Sequence, residues 1–277
     1  MLDALQTPLK WLVHPAPPVL VALGDECPLI WHGSRARRIT DEVADVDLWM
    51  VVDDDQLKMV EREAGTNFFV MKVKGVEGHV NLVTADHLVS AFSPVDMATL
   101  FELRNCQIVR DRDGFATELR NRSLAAMPDR IREAWFIHHY VRMRSEHRAA
   151  DNPMFRGDAV AVLFGVSKTL EQALRAAMVL DGKPYPYHKW LHASAKLTPT
   201  GRIVAAMTDQ AISLMGDGDL RRVGDERDNP LSLKLREIRA VLIEAAKAKG
   251  VDGPWPEKWW YHIDSSQRSI LEEGWLA

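Results

Sequence analysis

Residues 31–50 read WHGSRARRITDEVADVDLWM, and the predictions for the rest of the chain depend on this segment. Gly33 and Ser34 follow a short apolar segment, and Asp45 and Asp47 open a second one. In an extended strand, residues two apart project from the same face, so the two aspartates would present their carboxylates side by side. Adjacent like charges repel each other unless a cation lies between them. The pattern therefore indicates a divalent cation with oxygen ligands, Mg²⁺ in the first place.

The loop between Ser34 and Asp45 contains three arginines, Arg35, Arg37 and Arg38. Guanidinium groups and the backbone N–H groups of a Gly-Ser turn both suit phosphate oxygens carried by such a metal. The whole chain has 35 Lys and Arg against 39 Asp and Glu, a net charge of −4. This balance argues against an extended nucleic-acid surface, so the arginine cluster indicates a local site.

This segment resembles the signature of the DNA polymerase β-type nucleotidyltransferase superfamily. The resemblance rests on Gly33 and Ser34 after an apolar strand, followed by Asp45, Asp47 and Leu48. In that superfamily the Gly-Ser turn cradles the triphosphate of a nucleotide, and the two aspartates hold the metal ions that orient and activate it. The resemblance implies the same roles here. The alternative is an ordinary Gly-Ser turn followed by a strand whose aspartates are solvated.

A pair of apolar segments at 68–73 and 79–83 predicts a β-hairpin. The superfamily often places a third carboxylate on such a strand, between two apolar residues, and the matching position here is Asn81. An amide offers an oxygen to a metal but takes no proton at neutral pH, so the base that activates an acceptor would lie elsewhere, or the acceptor would need little activation. The candidates for that base are Glu77, Glu133 and Glu171.

The character of the sequence changes after Phe115, where long apolar patterns with a period of 3.6 residues begin. We therefore predict an α+β protein. Residues 1–116 would form an α/β nucleotidyltransferase domain with a mixed sheet, and residues 117–277 an α-helical domain that binds substrate and closes over the nucleotide.

A second motif, KPYPYHKWL at 183–191, lies in the predicted helical domain. Together with Arg156, Gly157 and Asp158, it resembles small-substrate nucleotidyltransferases related to the aminoglycoside and lincosamide adenylyltransferases. That resemblance implies that Lys189 meets the nucleotide phosphates from the opposite side of a cleft. The alternative is a connection between two helices whose aromatic residues pack and whose lysine is solvated.

The resemblance implies Mg²⁺-dependent transfer of AMP from ATP to a hydroxyl of a small molecule. Asp45 and Asp47 would hold the metal, and the departing pyrophosphate would be stabilised by Ser34, Arg35 and Lys189. Two alternatives stay open. The acceptor could be a protein hydroxyl, or the chain could be a nucleotide-binding regulatory protein without catalysis, since an amide stands where the third acid is expected.

The cysteines and the adjacent histidines do not indicate a metal site. Cys27 and Cys106 are too few and too far apart in sequence for a zinc site or a disulfide framework. His138 and His139 would point about 100° apart on a helix, which favours packing. No window approaches the roughly 20 apolar residues that span a bilayer, so we expect a soluble protein of the reducing cytoplasm.

Overall fold

The computed structural model describes residues 17–37, 44–73, 76–217, 229–272 and 274–275. The chain divides into two compact units. Unit 1 comprises Met1–Phe92 and Thr99–Ala125, and unit 2 comprises Ser93–Ala98 and Ala126–Ala277. The predicted domain boundary at residue 116 lies inside a helix of unit 1, and a short segment from the middle of the sequence joins unit 2.

Among the described residues before 125 there are five strands. In chain order the elements are α1 Pro18–Gly24, β1 Leu29–His32, α2 Gly33–Ala36, β2 Val46–Val52, α3 Asp54–Ala64, β3 Phe68–Val73, β4 Val76–Thr84, α4 Ala85–Ser90, α5 Met97–Asn105, β5 Gln107–Arg110 and α6 Phe115–Leu124. The first two residues of α5 belong to unit 2 and the others to unit 1.

The five strands form one sheet in the order β3-β4-β2-β1-β5. Strands β2 and β4 are parallel, and the other three pairs are antiparallel. The sheet is therefore mixed, and the helices dominate after it, so the predicted α+β class is confirmed.

Strand β2 has one buried face and one partly exposed face. Val46, Leu48 and Met50 are at most 1% exposed, whereas the residues between them are partly exposed. The buried side packs with residues of α1 and α3 into one hydrophobic cluster that includes Leu20 and Val60. Alternation along the strand therefore leaves the opposite face available for polar side chains.

An acidic run after β2, residues 53–55, begins helix α3. The Asp53 side chain accepts a hydrogen bond from the Gln56 backbone N–H at 2.7 Å, and the Gln56 side chain accepts one from the Asp53 N–H at 3.0 Å. This reciprocal pair is a capping box, which satisfies two donors that the first helical turn leaves unpaired. The acidic residues thus have a structural role at the helix start.

The elements that the structure describes after residue 128 are helical. They are α7 Asp129–Arg156, α8 Ala159–Leu180, α9 His188–Ala195, α10 Pro199–Asp217, α11 Pro230–Ala248, a 3₁₀ turn Trp259–His262 and α12 Ile263–Glu272. In the described ranges, no helix combines the length and the apolar character that crossing a membrane requires.

Helices α7 and α8 approach closely at two small residues. A Cβ added at Gly165 would lie 2.8 Å from Ala150 Cβ and 3.1 Å from Ala150 Cα. Ala150 is fully buried, and neither of its atoms can move without moving the backbone of α7. Nearer the start of α7, Phe136 and Tyr140 pack edge-on against the buried ring of Trp255.

We expect Gly165→Ala to destabilise the protein. Overpacking of this kind typically costs about 1–3 kcal/mol, which outweighs the roughly 1 kcal/mol by which Ala favours a helix over Gly. Val160→Ala, on the same helix at a residue 62% exposed, is the control and should leave the free energy of unfolding nearly unchanged. Urea denaturation of both variants tests this, and a Gly165→Ala protein as stable as the parent would show that the two helices can separate freely.

Candidate functional site

The Gly-Ser turn at the end of β1 touches a carboxylate of β2. Gly33 has a φ of 78°, a left-handed conformation that other residues rarely adopt. A Cβ at this position would lie 2.2 Å from Asp47 Oδ2. Both the backbone conformation and the lack of room for a side chain therefore require glycine at position 33. Ser34, the next residue, is only 6% exposed.

Asp45 and Asp47 lie on the polar side of the sheet. Asp45 directly precedes β2, Asp47 is its second residue, and both are partly exposed while the residues between and beside them are buried. Asp47 is paired with His32 on the neighbouring strand β1. His32 in turn stacks on Trp49, with ring centroids 4.0 Å apart. The turn and the carboxylates of Asp45 and Asp47 therefore share one face of the sheet, here called the aspartate face.

An imidazole lies between two carboxylates on this face. His79 Nδ1 is 3.0 Å from Asp47 Oδ1, and His79 Nε2 is 3.1 Å from Glu77 Oε1. Burial lowers the pKa of His79, but the hydrogen bonds to the two carboxylates and the charges of Asp47 and Asp45 outweigh it and raise the pKa above 6.5.

The register of the sheet locates Asn81 relative to Asp47, and its correspondence to a third carboxylate stays a prediction. On β4, the residue opposite Asp47 is His79, whereas Asn81 is opposite Trp49. Asn81 shares the face with Asp47 but lies two residues further along the strand. An imidazole, and not the amide, therefore occupies the position beside the second aspartate.

The three candidate bases lie in different places. Glu77 is on β4 of unit 1 and half exposed, with its carboxylate bound to His79. Glu133 and Glu171 belong to unit 2, where the first is exposed on α7 and the second pairs with Arg175 on α8. Only Glu77 is joined by hydrogen bonds to the aspartate face.

Glu102 on α5 holds the turn in place, a role that sequence reasoning missed. The Gly33 N–H donates to Glu102 Oε2 at 2.9 Å, and His32 Nδ1 lies 3.8 Å from the same oxygen. The other oxygen is 3.8 Å from Arg37 Nη2. Burial by itself raises the pKa of Glu102, but His32, Arg37 and the Gly33 N–H outweigh it and lower the pKa below 4.5.

The arginines of the loop differ in their surroundings. Arg37 Nε donates to the Gly33 carbonyl at 3.1 Å, and its guanidinium lies 4.8 Å from the centre of the Phe101 ring. Arg37 therefore supports the turn. Arg35 is partly buried, and its Nε has no hydrogen-bond partner among the described residues. Arg38, the third arginine of the predicted cluster, lies outside the described residues.

Lys189 is in unit 2, in the first turn of α9. Its side chain is exposed, and Nζ lies 5.7 Å from the centre of the Trp190 ring. Two other residues of the predicted small-substrate pattern lie at helix ends. Gly157 ends α7 with a φ of 71°, and the Asp158 side chain accepts a hydrogen bond from the Ala161 N–H at the start of α8.

The donor set on the aspartate face limits what metal it could hold. The described part of the chain contains no cluster of three or more His, Cys, Asp or Glu side chains suited to a metal ion. Asp45 and Asp47 provide two carboxylates on one face. Mg²⁺ is commonly bound by one or two carboxylates together with substrate phosphates and water. The residues present therefore fit a metal that arrives with a nucleotide better than a permanently bound one.

Residues 92–191 match a family model described as a domain of unknown function, DUF4037. This match includes Glu102 and Lys189 but neither the Gly-Ser turn nor the two aspartates. No curated protein matches the chain significantly.

Among solved structures, the chain is similar to a nucleotidyltransferase-like protein from Exiguobacterium sibiricum 255-15. The identity is 14%, the TM-score is 0.45, and the alignment covers 94% of this chain and 78% of that chain. At this identity and TM-score the likeness assigns no function.

We expect Glu102→Gln to change the pH dependence of stability. A pKa lowered by folding means that the ionised Glu102 contributes stability above pH 4.5, and that this contribution is lost as the pH falls through the lower folded pKa. The parent should therefore lose more stability than the variant on acidification. Urea denaturation between neutral pH and the acid range tests this, with the exposed carboxylate Glu63 changed to Gln as control. Parallel curves for parent and Glu102→Gln would contradict the role.

Proposed function

We propose that the protein is a nucleotidyltransferase that moves AMP from ATP to a hydroxyl of a small molecule. The observation that carries the proposal is the contact between the turn and the strand. Gly33 can only be glycine because the Asp47 carboxylate lies against it, and Asp45 lies on the same face. A Gly-Ser turn held beside paired carboxylates is the arrangement on which the resemblance to polymerase β-type nucleotidyltransferases rests.

In this proposal Asp45 and Asp47 hold Mg²⁺. The metal would neutralise charge on the nucleotide phosphates and orient them for in-line attack. Asp47 uses one carboxylate oxygen to accept from His79, and a carboxylate offers about four lone-pair positions, so this contact leaves others for the metal. His79 fixes the orientation of the Asp47 carboxylate, as hydrogen-bonded neighbours of metal ligands commonly do.

The phosphates would be bound by the turn and by basic side chains. The Gly33 N–H is bound to Glu102, so the N–H groups of Ser34 and the rest of α2 would be the ones that meet an anion. Arg35 has a buried Nε without a partner among the described residues, which a phosphate oxygen would satisfy. Lys189 is the proposed contribution of unit 2 to the departing pyrophosphate, and its exposure leaves it accessible.

Glu77 is the proposed base. It is the one candidate joined to the aspartate face, through His79, and its half-exposed carboxylate is accessible to an acceptor hydroxyl. In this role Glu77 takes the proton of the attacking hydroxyl while the pyrophosphate leaves. A screen of small-molecule and protein acceptors with labelled ATP and Mg²⁺ tests the proposed reaction and separates the two acceptor classes.

A second candidate function is nucleotide binding without catalysis. It is favoured by the observation that His79, and not a third acid, lies opposite Asp47. Magnesium-dependent ATP binding without release of pyrophosphate, with any acceptor, would support this function over transfer.

We expect Asp45→Asn and Asp47→Asn each to abolish transfer while the protein stays folded. Each change removes a ligand charge but no buried volume, and the loss of several kcal/mol of charge stabilisation corresponds to a decrease of roughly 100-fold or more. Asp54→Asn, the same change at an exposed residue of α3, is the matched control. Pyrophosphate release and circular dichroism measure the two effects. Near-parental turnover in either site variant would refute the metal assignment.

We expect Lys189→Ala to raise the KM for ATP or to lower kcat. If its ammonium meets the phosphates, truncation removes that interaction, whereas a lysine that is merely solvated would leave both constants unchanged and alter stability by no more than about 0.5 kcal/mol. Lys168→Ala removes an exposed lysine of α8 and serves as control. Kinetics indistinguishable between the two variants would mean that Lys189 does not contact the nucleotide.

A further inference from the structure

Strand β3 exposes two apolar side chains on the same face of the sheet as the two aspartates. Phe68 is 46% exposed and Val70 is 58% exposed. Phe69 and Met71, which alternate with them, are at most 7% exposed and belong to the hydrophobic cluster behind the sheet. β3 is an edge strand, and native proteins usually protect such edges with charged side chains. Neighbouring apolar residues on the open face of an edge strand therefore indicate a binding surface, here called the β3 platform and defined by Phe68 and Val70.

The strand pairing joins the β3 platform to the second aspartate. Asp47 of β2 is opposite His79 of β4, and His79 is opposite Val70 of β3. In the next row, Phe68 is opposite Asn81. The centroid of the Phe68 ring lies 5.4 Å from that of His79, and His79 Nδ1 is 3.0 Å from Asp47 Oδ1. The platform is therefore a continuation of the aspartate face, two strand spacings or roughly 10 Å away from β2.

The two sides of β2 have different parts in the proposed reaction. The Gly-Ser turn follows β1, which lies on one side of β2, whereas β4 and β3 lie on the other side. In phosphoryl transfer the attacking and leaving oxygens are roughly in line, on opposite sides of the phosphorus. If pyrophosphate leaves toward the turn, the acceptor hydroxyl attacks from the side of β4. The body of the acceptor then lies over the β3 platform.

The charges around the platform disfavour an anionic acceptor. Glu77 of β4 is half exposed, and Asp45 and Asp47 are partly exposed on the same face. These three carboxylates stand against the exposed Lys72, which is opposite Glu77, and at most one positive charge from His79. The phosphates of a bound nucleotide add further negative charge. An acceptor without negative charge avoids this repulsion.

We propose that the β3 platform binds the acceptor, and that this acceptor is a small alcohol with an aromatic ring and no negative charge. Its role as acceptor rests on the proposed transfer of AMP. The ring packs offset or edge-on against Phe68 and over the methyl groups of Val70, which buries apolar surface that a polar sugar ring does not offer. A hydroxyl on a short side chain then reaches β4, the strand of Glu77.

The transfer step on this acceptor is balanced. The hydroxyl oxygen bonds to the α-phosphorus of ATP, and the bond between that phosphorus and the bridging oxygen of pyrophosphate breaks. Glu77 takes the proton of the hydroxyl, and pyrophosphate leaves with the bonding electron pair.

A binding experiment on the full chain, without ATP or Mg²⁺, tests the ligand class. Three probes are titrated in ligand-observed NMR. Tyrosol is an uncharged phenol with a hydroxyethyl side chain, para-hydroxyphenylacetate has the same ring with a carboxylate, and methyl α-glucoside is an uncharged saturated ring. We expect tyrosol to bind at least fivefold more tightly than the other two. Absence of tyrosol binding, or binding of either other probe as tight as that of tyrosol, would overturn the proposal.

Variants locate the binding. Phe68→Thr and Val70→Thr keep residues that favour a strand, and both positions are exposed, so both variants should fold. Phe68→Thr should weaken tyrosol binding roughly fivefold, as expected for the loss of about 40–60 Å² of apolar contact, and Val70→Thr should weaken it by a smaller factor. Val160→Thr makes the same change at a valine of α8 that is 62% exposed, and should have no effect. Tyrosol binding that is unchanged in both platform variants would refute the platform.

Turnover separates this site from the proposed function. With tyrosol, ATP and Mg²⁺, Phe68→Thr should raise the KM for tyrosol and leave the KM for ATP unchanged. AMP transfer whose KM for tyrosol depends on neither Phe68 nor Val70 would refute the platform and leave the proposed function standing. Tyrosol binding that is weakened in Phe68→Thr, without AMP transfer to any acceptor by the parent, would refute the proposed function and confirm the binding surface.

Discussion

The contact between the Gly33 α-carbon and the Asp47 carboxylate is the constraint on which the candidate site depends. It leaves no room for a Cβ, so the turn must have glycine and the second strand must lie directly beside it. Antiparallel pairing of β1 with β2 places His32 opposite Asp47 and fixes that approach. The hydrophobic face of the same strands secures the pairing, because a shift by one residue would turn Val46 and Leu48 toward the polar side.

Part of this site follows from the sequence alone. Alternation between buried and partly exposed residues predicts that Asp45 and Asp47 share a face, and the structure has that alternation. Glu102 could not be predicted, because its contact with the Gly33 N–H joins residues 69 apart in sequence. A hydrogen bond between distant segments leaves no local pattern, and a lone glutamate in a helix has the composition of an ordinary solvated residue.

The placement of Asn81 shows a different limit. Periodicity determines which residues of a strand share a face but does not determine how far one strand is shifted along its neighbour. A shift of two residues keeps every side chain on its face, so His79 and Asn81 fit the pattern of β4 equally well. Only the observed pairing with β2 separates them. The α+β class and the helical C-terminal region, which depend on periodicity and not on register, are accordingly confirmed.

Unit 2 combines satisfied and unsatisfied polar groups, and the contrast is informative. His139 and Tyr185 are buried and each has a hydrogen-bond partner, as packing of the adjacent histidines requires. On the same helix as His139, the Tyr140 hydroxyl is buried and has no hydrogen-bond partner among the described residues. Periodicity predicts that both residues are buried, but it does not predict which of them finds a partner, because the partners of His139 come from α8 and from the segment before α9.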